Sequence, residues 1–113
     1  MHEFSIAVNI IDIASKAAEN EDAEKINEVE IEVGMLSGVI IEALEFALES
    51  AVKNTLLENA KIVIDKVKAL AKCNDCQAEF EPDNLIAQCP VCSSIDFKII
   101  RGRELRVKSI NVD

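Results

Sequence analysis

All four cysteines of the chain fall in two C-x-x-C pairs, Cys73-x-x-Cys76 and Cys89-x-x-Cys92, separated by a twelve-residue spacer. A C-x-x-C turn lets two thiolates reach one ion from a single knuckle, and two knuckles on a hairpin close the tetrahedral shell that zinc prefers. Such a closed shell is structural, because it leaves no position open for a substrate. The surrounding stretch, Ala71 to Phe97, is polar and contains both prolines, Pro82 and Pro90. Its sizeable apolar groups are Phe80, Leu85, Ile86, Val91, Ile95 and Phe97. These are too few to offset an ordering entropy of about 1.5 kcal/mol per residue. Metal binding, of order ~10–16 kcal/mol for structural zinc, would let the segment fold. Two disulfides, a redox-active dithiol and a rubredoxin-like iron centre are the competing readings. Two pairs at ribbon spacing oppose the first two, and the aromatic residues of a rubredoxin core are missing.

At 113 residues the chain suffices for one compact domain, or a domain with a metal-stapled appendage. Folding would bury roughly two-thirds of its surface. Twelve Lys and Arg against 21 Asp and Glu leave a net charge of −9, which repels nucleic acid and anionic membranes and favours cations. The apolar stretch Ile6 to Ala14 is interrupted by Asn9 and Asp12 and follows Glu3, so it does not read as a signal peptide. No apolar run approaches the ~20 residues of a membrane span. The expectation is a soluble cytoplasmic protein, where thiols stay reduced and paired C-x-x-C motifs hold metal more often than disulfides.

From Phe4 to about Glu19, apolar Phe4, Ala7, Val8, Ile11, Ala14 and Ala18, with Ile10 and Ala17 alongside, recur at helical spacing. Asn20-Glu21-Asp22 ends this helix. Val29, Ile31 and Val33 then alternate with Glu28, Glu30 and Glu32, which predicts a half-buried strand with an acidic outer face. Ser37 is the expected N-cap of a second helix over about residues 38–53, with Ile41, Leu44, Leu48, Ala51 and Val52 as its apolar stripe. Residues 60–70 read as a second strand. Residues 99–112 read as a third, with a phase shift at Ser109 that hints at a bulge. Arg101, Arg103, Arg106 and Lys108 make this last strand basic, so that pairing it with Glu28, Glu30 and Glu32 would set opposite charges across neighbours. The β-α-β step requires parallel strands, and the insert could return the third antiparallel. The fold class is therefore α+β: a small mixed three-stranded sheet with two helices, formed by residues 1–70 and 98–113, plus an inserted four-cysteine zinc ribbon at 71–97.

His2 is the only histidine, and its position gives it a chemistry of its own. The α-amine of Met1, the deprotonated amide of His2 and its imidazole Nδ1 form fused chelate rings in one plane, which suits Ni(II) or Cu(II). The vacant corner lies opposite the His2 amide, out of reach of the Glu3 amide. The Glu3 carboxylate, Asp96, water or another donor would fill it, Glu3 being preferred. An open corner suits a site that hands metal on. Taken alone, a histidine at position two also reads as a solvated residue.

The ordered set of motifs resembles the HypA/HybF family of nickel metallochaperones over nearly the whole chain. It comprises Met1-His2-Glu3 before an amphipathic helix, Val29-Glu30-Ile31-Glu32-Val33-Gly34, Leu36-Ser37, Leu44 through Glu49, the four cysteines, and Gly102-Arg103-Glu104-Leu105 before Val107-Lys108-Ser109-Ile110. The resemblance implies that Met1, His2 and Glu3 bind Ni(II) as cargo and that Cys73, Cys76, Cys89 and Cys92 bind structural Zn(II). It further implies work with the maturation GTPase HypB to load the large subunit of [NiFe]-hydrogenase, and in some organisms service to urease. Ile40-Ile41 stands where relatives often carry a proline, and Ser93 where they carry glycine. No second histidine is present to join the nickel shell, as one does in some archaeal relatives. A zinc-ribbon adaptor in transcription or translation would use the same thiols, but it would need a basic or aromatic recognition face, which the net charge and the lack of Trp and Tyr oppose. An enzyme is not expected, since a zinc hydrolase needs an open coordination position and a base beside it.

Overall fold

The structure, a computed structural model, describes residues 3–113. Met1 and His2 lie outside the described residues. The elements run α1 (Glu3–Asn20), β1 (Glu28–Gly34), α2 (Ile41–Ala51), β2 (Lys61–Val67), β3 (Leu70–Cys73), β4 (Glu79–Phe80), β5 (Phe97–Arg101) and β6 (Leu105–Asn111). The fold is α+β, with one three-stranded sheet ordered β2-β1-β6 and a second ordered β4-β3-β5. Among the described residues no helix is long and apolar enough to cross a membrane.

Backbone bonds at the two ends of β1 give the strand directions of the first sheet. Lys61 N–H donates to the Asn27 carbonyl (2.9 Å) and Met35 N–H to that of Val67 (2.9 Å), so β1 and β2 run parallel. Asn27 N–H donates to Asn111 (2.8 Å) and Gly34 N–H to Glu104 (2.7 Å), so β6 runs antiparallel to β1. The sheet is mixed, as expected. Val29, Ile31 and Val33 are buried and Glu28, Glu30 and Glu32 half-buried, the alternation a one-sided strand requires.

Opposite charges do meet across β1 and β6. Arg106 Nε donates to Glu32 Oε1, and Lys108 Nζ stands 3.7 Å from both Glu30 Oε2 and Asp65 Oδ2. The Glu30 carboxyl is pushed up from its ordinary range by its hydrogen bond with Asp65, then by burial and by the Asp65 charge, against the pull of Lys108 and Ser109.

The chain divides into two compact units. The first comprises 1–32, 39–65 and 106–113, the second 33–38 and 66–105. In the first, α1 packs on α2 over a core of Ala7, Ile10, Ile11, Ala14, Ala18, Leu44, Leu48, Leu57, Val29 and Ile31. The second takes in residues 71–97 together with the strands that flank them, because β3 pairs antiparallel with both β4 and β5.

Several local expectations need correction. The segment 60–70 is not one strand: β2 ends at Val67, and Leu70 opens β3 in the other sheet. Nor is 99–112 continuous. It breaks at Gly102, whose φ of +117° disfavours any residue with a side chain, into β5 and β6 in separate sheets. Ser37 does not cap α2. The N-cap is Ile40, with extended backbone and no side-chain cap bond of its own. On α1, Phe4 (60% exposed) and Val8 (48%) lie outside the core-facing stripe, which runs Glu3, Ala7, Ile10, Ile11, Ala14, Ala18.

Candidate metal centre

The two cysteine pairs form knuckles of one local geometry, repeated. In the first, Gln77 N–H donates to the Cys73 carbonyl (3.0 Å) and Cys73 N–H to that of Ala78 (2.8 Å). In the second, Ser93 N–H donates to Cys89 (2.8 Å) and Cys89 N–H to Ser94 (2.9 Å). Each turn ends on a left-handed residue four positions after its first cysteine, Gln77 at φ +68° and Ser93 at +63°. That conformation is where glycine costs least, which accounts for the expectation of glycine at position 93. The turns aim backbone N–H groups at sulfur: Cys76 N–H at Cys73 Sγ (3.5 Å) and Val91 N–H at Cys89 Sγ (3.4 Å).

The knuckles are held to each other by their own side chains. Asn74 Nδ2 donates to Asp96 Oδ1 (2.8 Å), Asn74 N–H to the Asp96 carbonyl (2.9 Å), and Ser94 Oγ to Asp75 Oδ2. Asp96, weighed from sequence as a further nickel donor, is thus engaged beside the thiols. Cys73 lies opposite Phe97 in the β3 and β5 register, and Phe97 meets Phe80 edge-on at 5.4 Å between centroids.

All four Sγ atoms lie within 4.8 Å of one another, with Cys73 and Cys92 at 3.5 Å and Cys76 and Cys89 at 3.5 Å. No disulfide joins them. Cys73 and Cys89 are buried and Cys76 and Cys92 exposed, so each knuckle contributes one inner and one outer sulfur. Four thiols this close cannot all ionise without a cation. Cys89 is pushed down to about 7, chiefly by the backbone N–H of Cys92 with that of Val91 and despite burial. Cys73 is lowered chiefly by the N–H of Cys76. In Cys92 the Ser94 N–H pulls down, but the neighbouring sulfurs, Cys73 foremost, and burial outweigh it and push the thiol up to about 12. Cys76 is likewise raised, burial and the Cys89 thiol overcoming the N–H of Ala78. Cys73 and Cys89 thus release their protons more easily than an ordinary thiol, and a soft divalent cation would draw out the rest.

Among the residues expected to hold nickel, the described structure includes Glu3. Its side chain is buried, 9% exposed, and Oε2 accepts a hydrogen bond from Ile40 N–H at 3.4 Å. Sequence reasoning missed this partner. The signal was present, since Glu3 stands four residues before Ala7 and seven before Ile10, on the stripe that faces the core.

A small α+β protein with two helices and a four-cysteine cluster on paired knuckles belongs to the class of metal-binding modules closed by cysteine. More narrowly, residues 1–112 match the family model described as hydrogenase/urease nickel incorporation, metallochaperone, HypA, and the chain belongs to that family. The hydrogenase maturation factor HypA of Parabacteroides distasonis is 46% identical over 110 residues, 97% of this chain and 96% of that protein. That of Francisella philomiragia is 44% identical over 110 residues, 97% of each. The solution structure of the Ni metallochaperone HypA from Helicobacter pylori superposes with a TM-score of 0.72 at 27% identity, covering 99% of this chain and 97% of that one.

Proposed function

We propose that this protein is a nickel metallochaperone of hydrogenase maturation, binding Ni(II) at its amino terminus and passing it, with the GTPase HypB, to the large subunit of [NiFe]-hydrogenase. Urease maturation is a second client route in organisms that have it. The observation that carries the reading is the family match across residues 1–112, which includes the Met1-His2-Glu3 start. The site residues follow from the donor chemistry. Met1 supplies its α-amine and His2 its amide nitrogen and imidazole, so that nickel is held in a plane with the corner opposite the His2 amide open for transfer.

Charge supports a cationic cargo. The first unit carries fifteen acidic and six basic residues and the second six of each, so the net charge of −9 resides wholly in the unit that contains Glu3. That favours a cation over nucleic acid there. Cys73, Cys76, Cys89 and Cys92 would hold Zn(II). Four mutually close sulfurs, two of them eased toward ionisation by backbone N–H groups, fit it, and zinc there supplies folding free energy rather than catalysis. We place the activity in the cytoplasm, where thiols stay reduced.

The test is a Ni(II) titration of the full chain with an authentic Met1 terminus, beside His2→Ala, read by calorimetry and the nickel absorption band, with zinc content measured separately. One nickel site lost in His2→Ala with folding intact is the expected result. Equal nickel binding by both proteins would overturn the amino-terminal site and return a zinc-ribbon adaptor to first place.

A further inference from the structure

We infer that the Glu3 carboxylate serves as a positioning group, fastening the start of α1 to the start of α2, and is not itself a nickel donor; this rests on the amino-terminal nickel site proposed above. A helix leaves its first N–H groups without intrahelical partners, and a side-chain acceptor ordinarily satisfies one of them. The N-cap of α2 is Ile40, which has no acceptor to offer and makes no side-chain cap bond. Glu3 Oε2 accepts from the Ile40 N–H across 37 positions of sequence. This is the bond a capping-box glutamate makes to the N-cap N–H, supplied here from another helix. As the first residue of α1, the same carboxylate also lies at the positive end of that helix's dipole, and two dipole starts share one negative charge.

Burial points the same way. Glu3 occupies the core-facing stripe of α1, in step with Ala7, Ile10 and Ala14, and stands 9% exposed, whereas the next residue, Phe4, is 60% exposed. With Oε2 accepting a backbone bond, the buried carboxylate has only Oε1 left to offer, and turning the whole side chain toward a metal would cost that bond and α2 its cap. Held where it is, it fixes the α-carbon adjacent to His2, and so sets where the chelating atoms of Met1 and His2 begin. The fourth corner is then left to water or to a donor from the receiving protein.

Glutamine keeps the acceptor oxygen but is a poor nickel donor, and alanine removes both functions, so Glu3→Gln and Glu3→Ala separate the two roles. Two readouts are needed, on full-length chains beginning at Met1. In zinc-loaded, nickel-free protein, exchange of the Ile40 amide should stay slow in Glu3→Gln and rise by roughly tenfold in Glu3→Ala, the scale of a lost hydrogen bond to a charged acceptor. With Ni(II) alone as probe, Glu3→Gln should keep the wild-type absorption band and an affinity within about threefold, while Glu3→Ala should weaken binding by roughly tenfold. A nickel band shifted or lost in Glu3→Gln, with its Ile40 amide still slow, would overturn the inference and make the carboxylate a ligand. So would an Ile40 amide indifferent to Glu3→Ala. Full nickel binding by His2→Ala would instead remove the reading beneath it, and the nickel-free exchange data tell that failure from the others.

Discussion

Replacing Gly34 by alanine tests how closely the end of β1 is packed. A Cβ built on Gly34 would overlap the carbonyl of Gly102 and come within 2.6 Å of the Arg103 nitrogen, where about 3.5 Å is an ordinary separation. Every one of these obstacles is backbone, so no side chain can swing aside, and the two segments must part by roughly an ångström. Two hydrogen bonds flank the spot: Gly34 N–H to Glu104 (2.7 Å) and Leu36 N–H to Gly102 (2.6 Å). Overpacking costs about 1–3 kcal/mol, and weakening both bonds adds about 0.5–1.5 kcal/mol each. The stiffer unfolded chain returns about 0.4–1 kcal/mol. The net expectation is a loss of about 1–6 kcal/mol, a large share of the 5–15 kcal/mol typical of a folded domain. Urea denaturation followed by far-ultraviolet circular dichroism measures the loss, and exchange of the Leu36 amide locates it. A change below about 0.5 kcal/mol, with that amide as slow as in the wild type, would refute the close approach.

Leu48 is 1% exposed in the core of the first unit, so Leu48→Ala should cost about 2–5 kcal/mol in the same denaturation assay. Asp65→Asn should lower the Glu30 pKa, because Asp65 is the chief cause of its elevation, and a carboxyl titration by NMR reads the shift. A folded-state pKa above the unfolded value means the native chain holds the extra proton just above pH 4.5. Stability contributed there falls as pH rises through that window, and Asp65→Asn should flatten the slope. Cys89→Ser should abolish metal retention, since it removes the sulfur most ready to ionise, and amide protection should be lost mainly across residues 71–97. Acid should release the metal as thiolates reprotonate. Metal content and hydrogen exchange measured from pH 8 to 4 check both, and unaltered metal in Cys89→Ser would count against a four-thiolate site.

Much of the fold was readable because its cues are local. The alternation of Val29, Ile31 and Val33 marks β1, the spacing of Ala7, Ile11, Ala14 and Ala18 marks α1, and the cysteine spacing marks the knuckles. The errors arose where the deciding partner is distant in sequence. Ser37 looked like a cap because it is a good cap residue near a helix start, whereas Ile40 holds that place and its N–H is met by Glu3. Leu70 seemed to extend β2 because its apolar character fits either sheet, and only pairing with β5 assigns it to β3. Gly102 is the local cue to the break between β5 and β6, and the apolar run around it obscures that cue.

The path of the chain between the two units bears on inheritance. It leaves the first unit at residue 33, returns at 39, leaves again at 66 and returns at 106. A gene fragment encoding 66–105 would carry all four cysteines yet lack 33–38, whose Met35 and Leu36 amides bond to Val67 and Gly102. Moving the block 66–105 alone therefore leaves two of its backbone partners behind, and deleting it strips Met35 and Leu36 of theirs. The cysteine module is thus inherited intact only together with a stretch of chain that precedes α2.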